Sequence, residues 1–335
     1  MRAVRLHKIG EQLQVEQVPD PVAPPGGAVV RLHAAALNHR DEFIRQGLYA
    51  KMQLPSVLGS DGAGVVESVA PAVDRSWVGR KVVVIPCKGW GPDPRAQDPK
   101  TFLILGMPEQ GTFAEKIALP IDRLAPMPEH LSWPEAAALP LAGLTAWRAL
   151  VTRGELKSGD HVLITGIGGG VAAVAMIFAQ ALGARVSVTS GSEEKLARAR
   201  SMGAIAAVSY KQKGWEKELI QQVGRPPALI VDSAGGPDFA ALVSAVAPGG
   251  RIVSYGATRG PAEKLEVVRL FFKQFDIRGT TMGTDDEFRA MLQFVARERI
   301  RPLVDQVFPL SQAPDALRRM AQSEQMGKIV LDCLA

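Results

Sequence analysis

The run Val162-Leu163-Ile164-Thr165-Gly166-Ile167-Gly168-Gly169-Gly170-Val171-Ala172 passes from an apolar segment through glycines into a helix-forming one. Glycine lets the backbone turn sharply and approach a pyrophosphate, and the first N–H groups of the following helix lack intrahelical acceptors and carry a partial positive charge. Strand, turn and helix in that order make Gly168, Gly169, Gly170 and Val171 candidate ligands of a dinucleotide. The further strand that starts at Arg185, after Gly183-Ala184, favours this over a mere tight turn.

A ribose-binding carboxylate is expected about 20 residues beyond such glycines. There the chain reads Val188-Thr189-Ser190-Gly191-Ser192, without an acid. Ser190, the nearby cations Lys195 and Arg198, and Tyr210 at the end of the next strand suit a 2′-phosphate, so NADPH is the expected cofactor. Glu193 or Glu194 is the alternative, as the carboxylate of an NAD site. Ser190 and Glu193, however, have capping-box spacing, which would tie Glu193 to the backbone.

These residues require a parallel sheet to hold them. Apolar strands alternate with amphipathic helices: 161–165 then 171–182, 185–189 then 193–202, 228–232 then 239–246, and 251–256. Continuous Val/Ile runs joined by helices are what a sheet covered on both faces needs, so the fold class is α/β with a doubly wound parallel sheet. The first part of the chain differs. Residues 28–32, 64–69 and 81–85 read as short β-branched strands bounded by Pro, Gly or Asp. Ser132 and Glu135 then mark a capping box that opens an Ala/Leu-rich helix toward Leu150. Asp285 to Arg299 reads as another helix, and 327–331 as a strand returning to the first domain.

At 335 residues the chain suits two cores better than one. Lys and Arg exceed Asp and Glu by five, yet alternate with them and form no basic run, so a nucleic-acid partner is not expected. Two cysteines, Cys87 and Cys333, exclude a disulfide framework and a four-cysteine metal site, and fit a reducing compartment. With no apolar segment of signal or membrane-spanning length, the expected location is the cytoplasm and no membrane partner is expected.

Read with the first half of the chain, these motifs gain a family. Leu37-Asn38-His39-Arg40-Asp41, Leu58-Gly59-Ser60-Asp61-Gly62-Ala63-Gly64, Gly111-Thr112-Phe113-Ala114-Glu115, Pro140-Leu141-Ala142-Gly143-Leu144-Thr145-Ala146, Asp232-Ser233-Ala234-Gly235 and the closing Gly327-Lys328-Ile329-Val330-Leu331 resemble medium-chain dehydrogenase/reductases, specifically the quinone oxidoreductase (zeta-crystallin-like) branch. The resemblance implies a β-rich GroES-like catalytic domain, residues 1–126 completed by 285–335, and a Rossmann dinucleotide-binding domain, residues 127–284.

Zinc alcohol dehydrogenases of the superfamily hold the catalytic metal at positions that here carry Asn38, Ser60 and Leu141. None is a good zinc ligand, and a catalytic zinc needs three. The structural-zinc lobe corresponds to 86–111, which holds only Cys87, so no metal is expected; Trp90 and Phe102 of this loop either pack the lobe or approach substrate. Without a Lewis acid, an alkoxide loses several kcal/mol of stabilisation, about what a bound metal supplies. A quinone or α,β-unsaturated carbonyl remains reducible because the arriving hydride yields a delocalised anion, and the protein mainly orients the reactants. The resemblance places Asn38 beside the nicotinamide ribose and Thr145, Gly256, Thr258 and Met282 along the cofactor, with Lys328 closing the site. Tyr49 either donates to the carbonyl oxygen or covers apolar surface. Arg40 either reaches the cofactor pyrophosphate or, as preferred, pairs with Asp41. His39 either approaches the phosphates or acts as an acid, or, as an isolated His more often is, is structural. Relatives dimerise through the edge of the cofactor domain, which implies a homodimer, although Phe271, Phe272 and Phe275 could equally fill the core. The alternatives are an alcohol or aldehyde dehydrogenase and a non-catalytic NADPH-binding protein.

Overall fold

The computed structural model of the chain describes residues 1–49 and 52–335. Contacts group residues 1–144 with 283–335 as one unit and residues 145–282 as a second.

In the first unit, the strand Gly27–Ala36 lies at the centre of a mixed seven-stranded sheet. Asp61–Val69 pairs antiparallel with it along one edge, and Lys328–Asp332 pairs with its end, Val330 opposite Ala36. The chain's last strand thus returns to the first sheet, as the sequence suggests. Small and β-branched side chains suit this strand because it is covered on both faces; of its ten residues only Arg31 is exposed. Phe113, Leu32, Ile44, Leu58 and Leu331 form the core, with Leu317 and Met320 of the helix Ala313–Ala321 packed in.

Ser132 and Glu135 make the capping box that starts the helix Trp133–Ala138, with the Ser132 N–H donating to the Glu135 carboxylate at 2.7 Å. The expected continuous helix to Leu150 is instead three pieces: Trp133–Ala138, Pro140–Trp147 and a π-helical turn Arg148–Thr152. Pro140 explains the first break, since it has no N–H and restricts Leu139 before it. Residues 127–144, assigned to the second domain on sequence, group with the first unit because the Trp133–Ala138 helix packs on its sheet.

The second unit holds a six-stranded sheet, all parallel, in the spatial order Ala206–Ser209, Arg185–Ser190, His161–Ile164, Leu229–Asp232, Arg251–Ser254, Asp276–Gly279. The order reverses direction beside His161–Ile164. In open α/β sheets ligands bind at such a switch point, outside the carboxyl ends of the strands. Leu163, Val208, Ile230, Ile252 and Phe275 lie in its core. Phe275 therefore fills the core, whereas Phe271 and Phe272 on the helix Val267–Lys273 are 58% and 75% exposed. No helix among the described residues is long and apolar enough to cross a membrane.

Candidate active site

In the second unit the glycine loop sits at the switch point. Its residues are fixed by both flanking strands: Thr165 N–H donates to Val231 O at 3.1 Å and Ile167 N–H to Thr189 O at 3.0 Å. Gly169 N-caps the helix Gly170–Ala181, so the N–H groups of Gly170, Val171 and Ala172 lie in its first turn, where no intrahelical acceptor exists. A Cβ built on Gly169 would meet only Gly166 O, at 3.5 Å, an ordinary contact. The chain itself does not demand glycine there. A group outside the chain lying against the helix start would demand it, and the free N–H groups there suit an anion such as a pyrophosphate.

Thr165 Oγ1 donates to Asp232 Oδ1 at 2.6 Å, and Asp232 in turn accepts from the Gly235 N–H at 3.0 Å, folding Asp232 to Gly235 into a turn beside the loop. Thr258 Oγ1 donates to Ser233 O at 3.2 Å, and a Cβ on Gly256 would stand 3.0 Å from the same oxygen. Gly256 and Thr258 are thus gathered at the turn next to the glycines. Thr145 and Met282, the first and last residues of the second unit, are both buried.

At the end of the second strand Ser190 still pairs in the sheet, with Ser209 opposite. It therefore cannot cap the next helix, and the expected Ser190–Glu193 box is absent. Ser192 is the N-cap, its hydroxyl accepting from the Lys195 N–H, and Glu193 and Glu194 are exposed in the first turn. Around Gly191 the structure gathers groups the sequence keeps apart. A Cβ there would stand 2.6 Å from the Tyr210 hydroxyl and 2.9 Å from Lys211 Cε, and the Arg259 guanidinium carbon lies over the Tyr210 ring, 5.1 Å from its centre. Lys211 and Arg259 were missed. The first adjoins Tyr210 and was legible; the second is brought in by the loop after Arg251–Ser254 and leaves no local signal.

In the first unit, the positions matching the zinc ligands of relatives do converge, on Asp61. Asn38 Nδ2 donates to Asp61 Oδ2 at 2.9 Å, and the Leu141 N–H donates to Asp61 Oδ1 at 2.7 Å. Leu141 lies in the first turn of the helix Pro140–Trp147, where an anion is favoured by the helix dipole. Lys328, 3% exposed, completes the group: its ammonium donates to Leu37 O at 2.6 Å, Asn38 Oδ1 at 2.7 Å and Asp61 Oδ2 at 3.0 Å. Lys328 is therefore held inside this network, and its action on Asn38 is to fix the orientation of the amide.

Arg40 is not paired with Asp41. Adjacent residues on a helix, here His39–Arg45, point in different directions. Arg40 Nη1 donates to Ser60 Oγ and to Leu105 O, both at 2.7 Å, and its guanidinium carbon lies 5.0 Å from the centre of the Tyr49 ring. Asp41 instead caps its own helix, accepting from the Asn38 N–H at 2.8 Å and the Gly59 N–H at 3.3 Å. Burial raises the Asp41 carboxyl to about 6, against the lowering pull of Arg40. Leu105 reaches Arg40 because the 86–111 loop presses on residue 59: a Cβ on Gly106 would lie 2.7 Å from Gly59 O, so only glycine allows the approach. In the same loop Trp90 and Phe102 meet edge to face at 5.5 Å.

Tyr49 is half-buried and packs on the core of the first unit, so it covers apolar surface as well as the guanidinium. Burial and the nearby Lys328 charge lower the pKa of His39, favouring the neutral imidazole. Burial pushes the Cys87 thiol up to about 12. Among the described residues no three His, Cys, Asp or Glu side chains assemble as a metal-ligating group. A zinc ion does not suit the three matching positions: the Asn38 amide and Ser60 hydroxyl are engaged with Lys328 and Arg40, and Leu141 offers no donor.

Comparison with known proteins agrees with this architecture. The family model for alcohol dehydrogenase GroES-like domains matches residues 24–129, and that for zinc-binding dehydrogenases matches residues 170–297. The zinc-type alcohol dehydrogenase-like protein YogA of Leptosphaeria maculans is 37% identical over 338 residues, covering 96% of this chain and 94% of its own. The quinone oxidoreductase of Pseudomonas aeruginosa is 30% identical, with 92% of each chain covered. The crystal structure of an NAD-dependent alcohol dehydrogenase superposes with a TM-score of 0.93 at 39% identity, covering 99% of both chains.

Proposed function

The chain belongs to the medium-chain dehydrogenase/reductase superfamily and is an oxidoreductase of it, and from that premise we propose that it uses NADPH to reduce the conjugated carbonyl of a quinone or enone without a catalytic metal. The observation that carries this reading is the network around Asp61. Where zinc relatives bind their metal, this chain offers the buried cations Lys328 and Arg40, and Lys328 already satisfies the carboxylate. An alkoxide would have no Lewis acid there, whereas the delocalised anion of a reduced quinone or enone requires only hydrogen-bond donors.

The reduced nicotinamide supplies the hydride when it is bound. In the second unit, Gly168, Gly169, Gly170 and Val171 would receive its pyrophosphate, with Gly256 and Thr258 at the adjoining turn and Thr145 and Met282 nearer the reacting ring. Ser190, Lys195 and Tyr210, joined by Lys211 and Arg259, support a 2′-phosphate. In the first unit, Lys328 and Asp61 hold the Asn38 amide in one orientation, and Tyr49 lies over Arg40 beside the acceptor oxygen. The exposed Val267, Val268, Phe271 and Phe272 next to the edge strand Asp276–Gly279 support a homodimer. The location remains the expected cytoplasm.

The names of the relatives favour a second reading, a zinc-dependent alcohol dehydrogenase using NAD, for which the exposed Glu193 or Glu194 would supply the ribose carboxylate. One experiment separates the two: steady-state oxidation of NADPH and NADH with an ortho-quinone and with 2-cyclohexenone, alongside metal analysis of the purified protein. The proposal expects turnover without stoichiometric zinc and NADPH favoured by about ten-fold or more in kcat/KM, the worth of one charge-assisted contact. Zinc-dependent alcohol oxidation with NADH preference would refute it. Tight NADPH binding with no turnover of any acceptor would mark a non-catalytic binding protein.

A further inference from the structure

Arg40 is more than nine-tenths buried, yet only one of its three nitrogens is engaged. Nη1 donates to Ser60 Oγ and Leu105 O, while Nε and Nη2 are shielded from solvent and have no hydrogen-bond partner. Buried donors of this kind are rare and call for an explanation, because desolvation without a partner is unfavourable. These two are not scattered. Nε–H and one Nη2–H form the side-on edge of the planar guanidinium, two parallel donors that fit a planar anionic oxygen group.

The surroundings favour a ligand. Arg40 is held from its opposite edge by Ser60 and by the carbonyl of Leu105, and Ser60 Oγ itself donates to Leu105 O at 2.7 Å. The guanidinium carbon lies over the Tyr49 ring, 5.0 Å from its centre, a cation–π contact that supplies no hydrogen-bond acceptor. Among the described residues no carboxylate forms an ion pair with it: Asp61 is taken by Lys328, and Asp41 accepts from backbone N–H groups. Asp41 is moreover raised to about 6 by burial, which weakens it as a counter-charge. The result is an anchored cation whose bidentate edge is unpartnered and shielded from solvent, hydrogen-bonded from its other side to Ser60, the position where zinc relatives place a metal ligand.

We infer that the Nε–Nη2 edge of Arg40 binds the carbonyl oxygen of the acceptor and stabilises the negative charge that develops on it. This rests on the reading of the enzyme as a reductase of conjugated carbonyls. Hydride arrives at the conjugated carbon with its electron pair; the π pair of the C=C bond shifts toward the carbonyl, whose C=O becomes C–O⁻; a proton from water completes the reduction, and the nicotinamide is left oxidised. Arg40 cannot supply that proton, since a guanidinium stays charged in proteins. Its part is electrostatic, and it contributes most when the oxygen is most anionic.

A phenolate resembles the reduced oxygen and needs no turnover, so 4-nitrophenol is the probe. Its absorbance reports ionisation, and titration with and without the full-length protein gives the pKa of the bound form. The inference expects the wild type to lower it by about one unit, a ten-fold preference for the phenolate. Arg40→Gln should abolish the shift and lower kcat for an ortho-quinone about 100-fold, as for the loss of one oxyanion donor, with the affinity for NADPH changed less than two-fold. Should R40Q fail to fold, R40K is read in its place, because its ammonium can still reach Ser60 and Leu105 but offers no fork. Absence of the shift in the wild type overturns the inference, as does a shift that survives in the folded variant. A kcat loss that only tracks loss of thermal stability and cofactor affinity also overturns it. If the wild type binds phenolate through Arg40 but reduces no quinone or enone, the proposed function fails while the oxygen site stands.

Discussion

Replacing Lys328 by Met tests the network on which the proposed chemistry depends. The ammonium lies 3.0 Å from Asp61 Oδ2, with the two side chains 3% and 0% exposed, so water cannot take its place without entering the core. At that distance, and at an effective dielectric of about 20, the attraction is about 5.5 kcal/mol. Removing one partner of a buried pair typically destabilises by about 3–5 kcal/mol, because the other charge is left uncompensated. Asp61 would keep its bonds from Asn38 Nδ2 and the Leu141 N–H, which places K328M near the lower end, about 3 kcal/mol. For domains of this size that is a fall in Tm of roughly 6–12 °C. The assay is thermal and urea unfolding at pH 7.5 of K328M, D61N and the double variant. Because each single change strands one charge and the double removes both, the double should be more stable than the summed single effects by about 2 kcal/mol. A K328M Tm within 2 °C of wild type would refute the reasoning, and so would strict additivity in the double variant.

Three further expectations concern separate parts of the molecule. Gly169→Ala should leave Tm nearly unchanged, since a Cβ there meets only Gly166 O at ordinary distance, and should weaken NADPH binding about ten-fold or more by fluorescence titration; unchanged affinity would place the pyrophosphate elsewhere. Asp41 has a folded pKa of about 6 against an ordinary 3.8, so the native state holds the extra proton between these values and loses stability as pH rises through that window. The loss amounts to about 3 kcal/mol at most, and urea unfolding at pH 4.5 and 7 should show Asp41→Asn lacking this slope relative to wild type; identical slopes would mean Asp41 titrates normally. Phe272→Glu, at a site 75% exposed, should convert a homodimer to monomer in sedimentation velocity without lowering Tm, whereas an unchanged oligomer would exclude that face as the interface.

The glycine loop, the alternation of strand and helix and the return of the last strand were legible because they depend on local periodicity and on backbone freedom at particular residues. Ser132 with Glu135 was legible for the same reason. The Ser190 cap was misread, since whether a strand ends at Thr189 or Ser190 depends on its pairing with Ser209, a partner remote in sequence. The helix toward Leu150 was predicted as one element, and Pro140 ended its first part.

Residue types alone determined that Asn38, Ser60 and Leu141 make a poor set of metal ligands, because an amide, a hydroxyl and an alkyl chain carry that limit wherever they fold. What occupies those positions was decided only by tertiary structure. The sequence placed Arg40 beside Asp41 and left Lys328 at the far end of the chain; folding turned Arg40 toward Ser60 and Leu105 and brought Lys328 to Asp61, 267 positions away in sequence. Such pairings follow from sheet register and from a loop pressed against Gly59, neither of which has a local signature, and they determine where the buried charge lies.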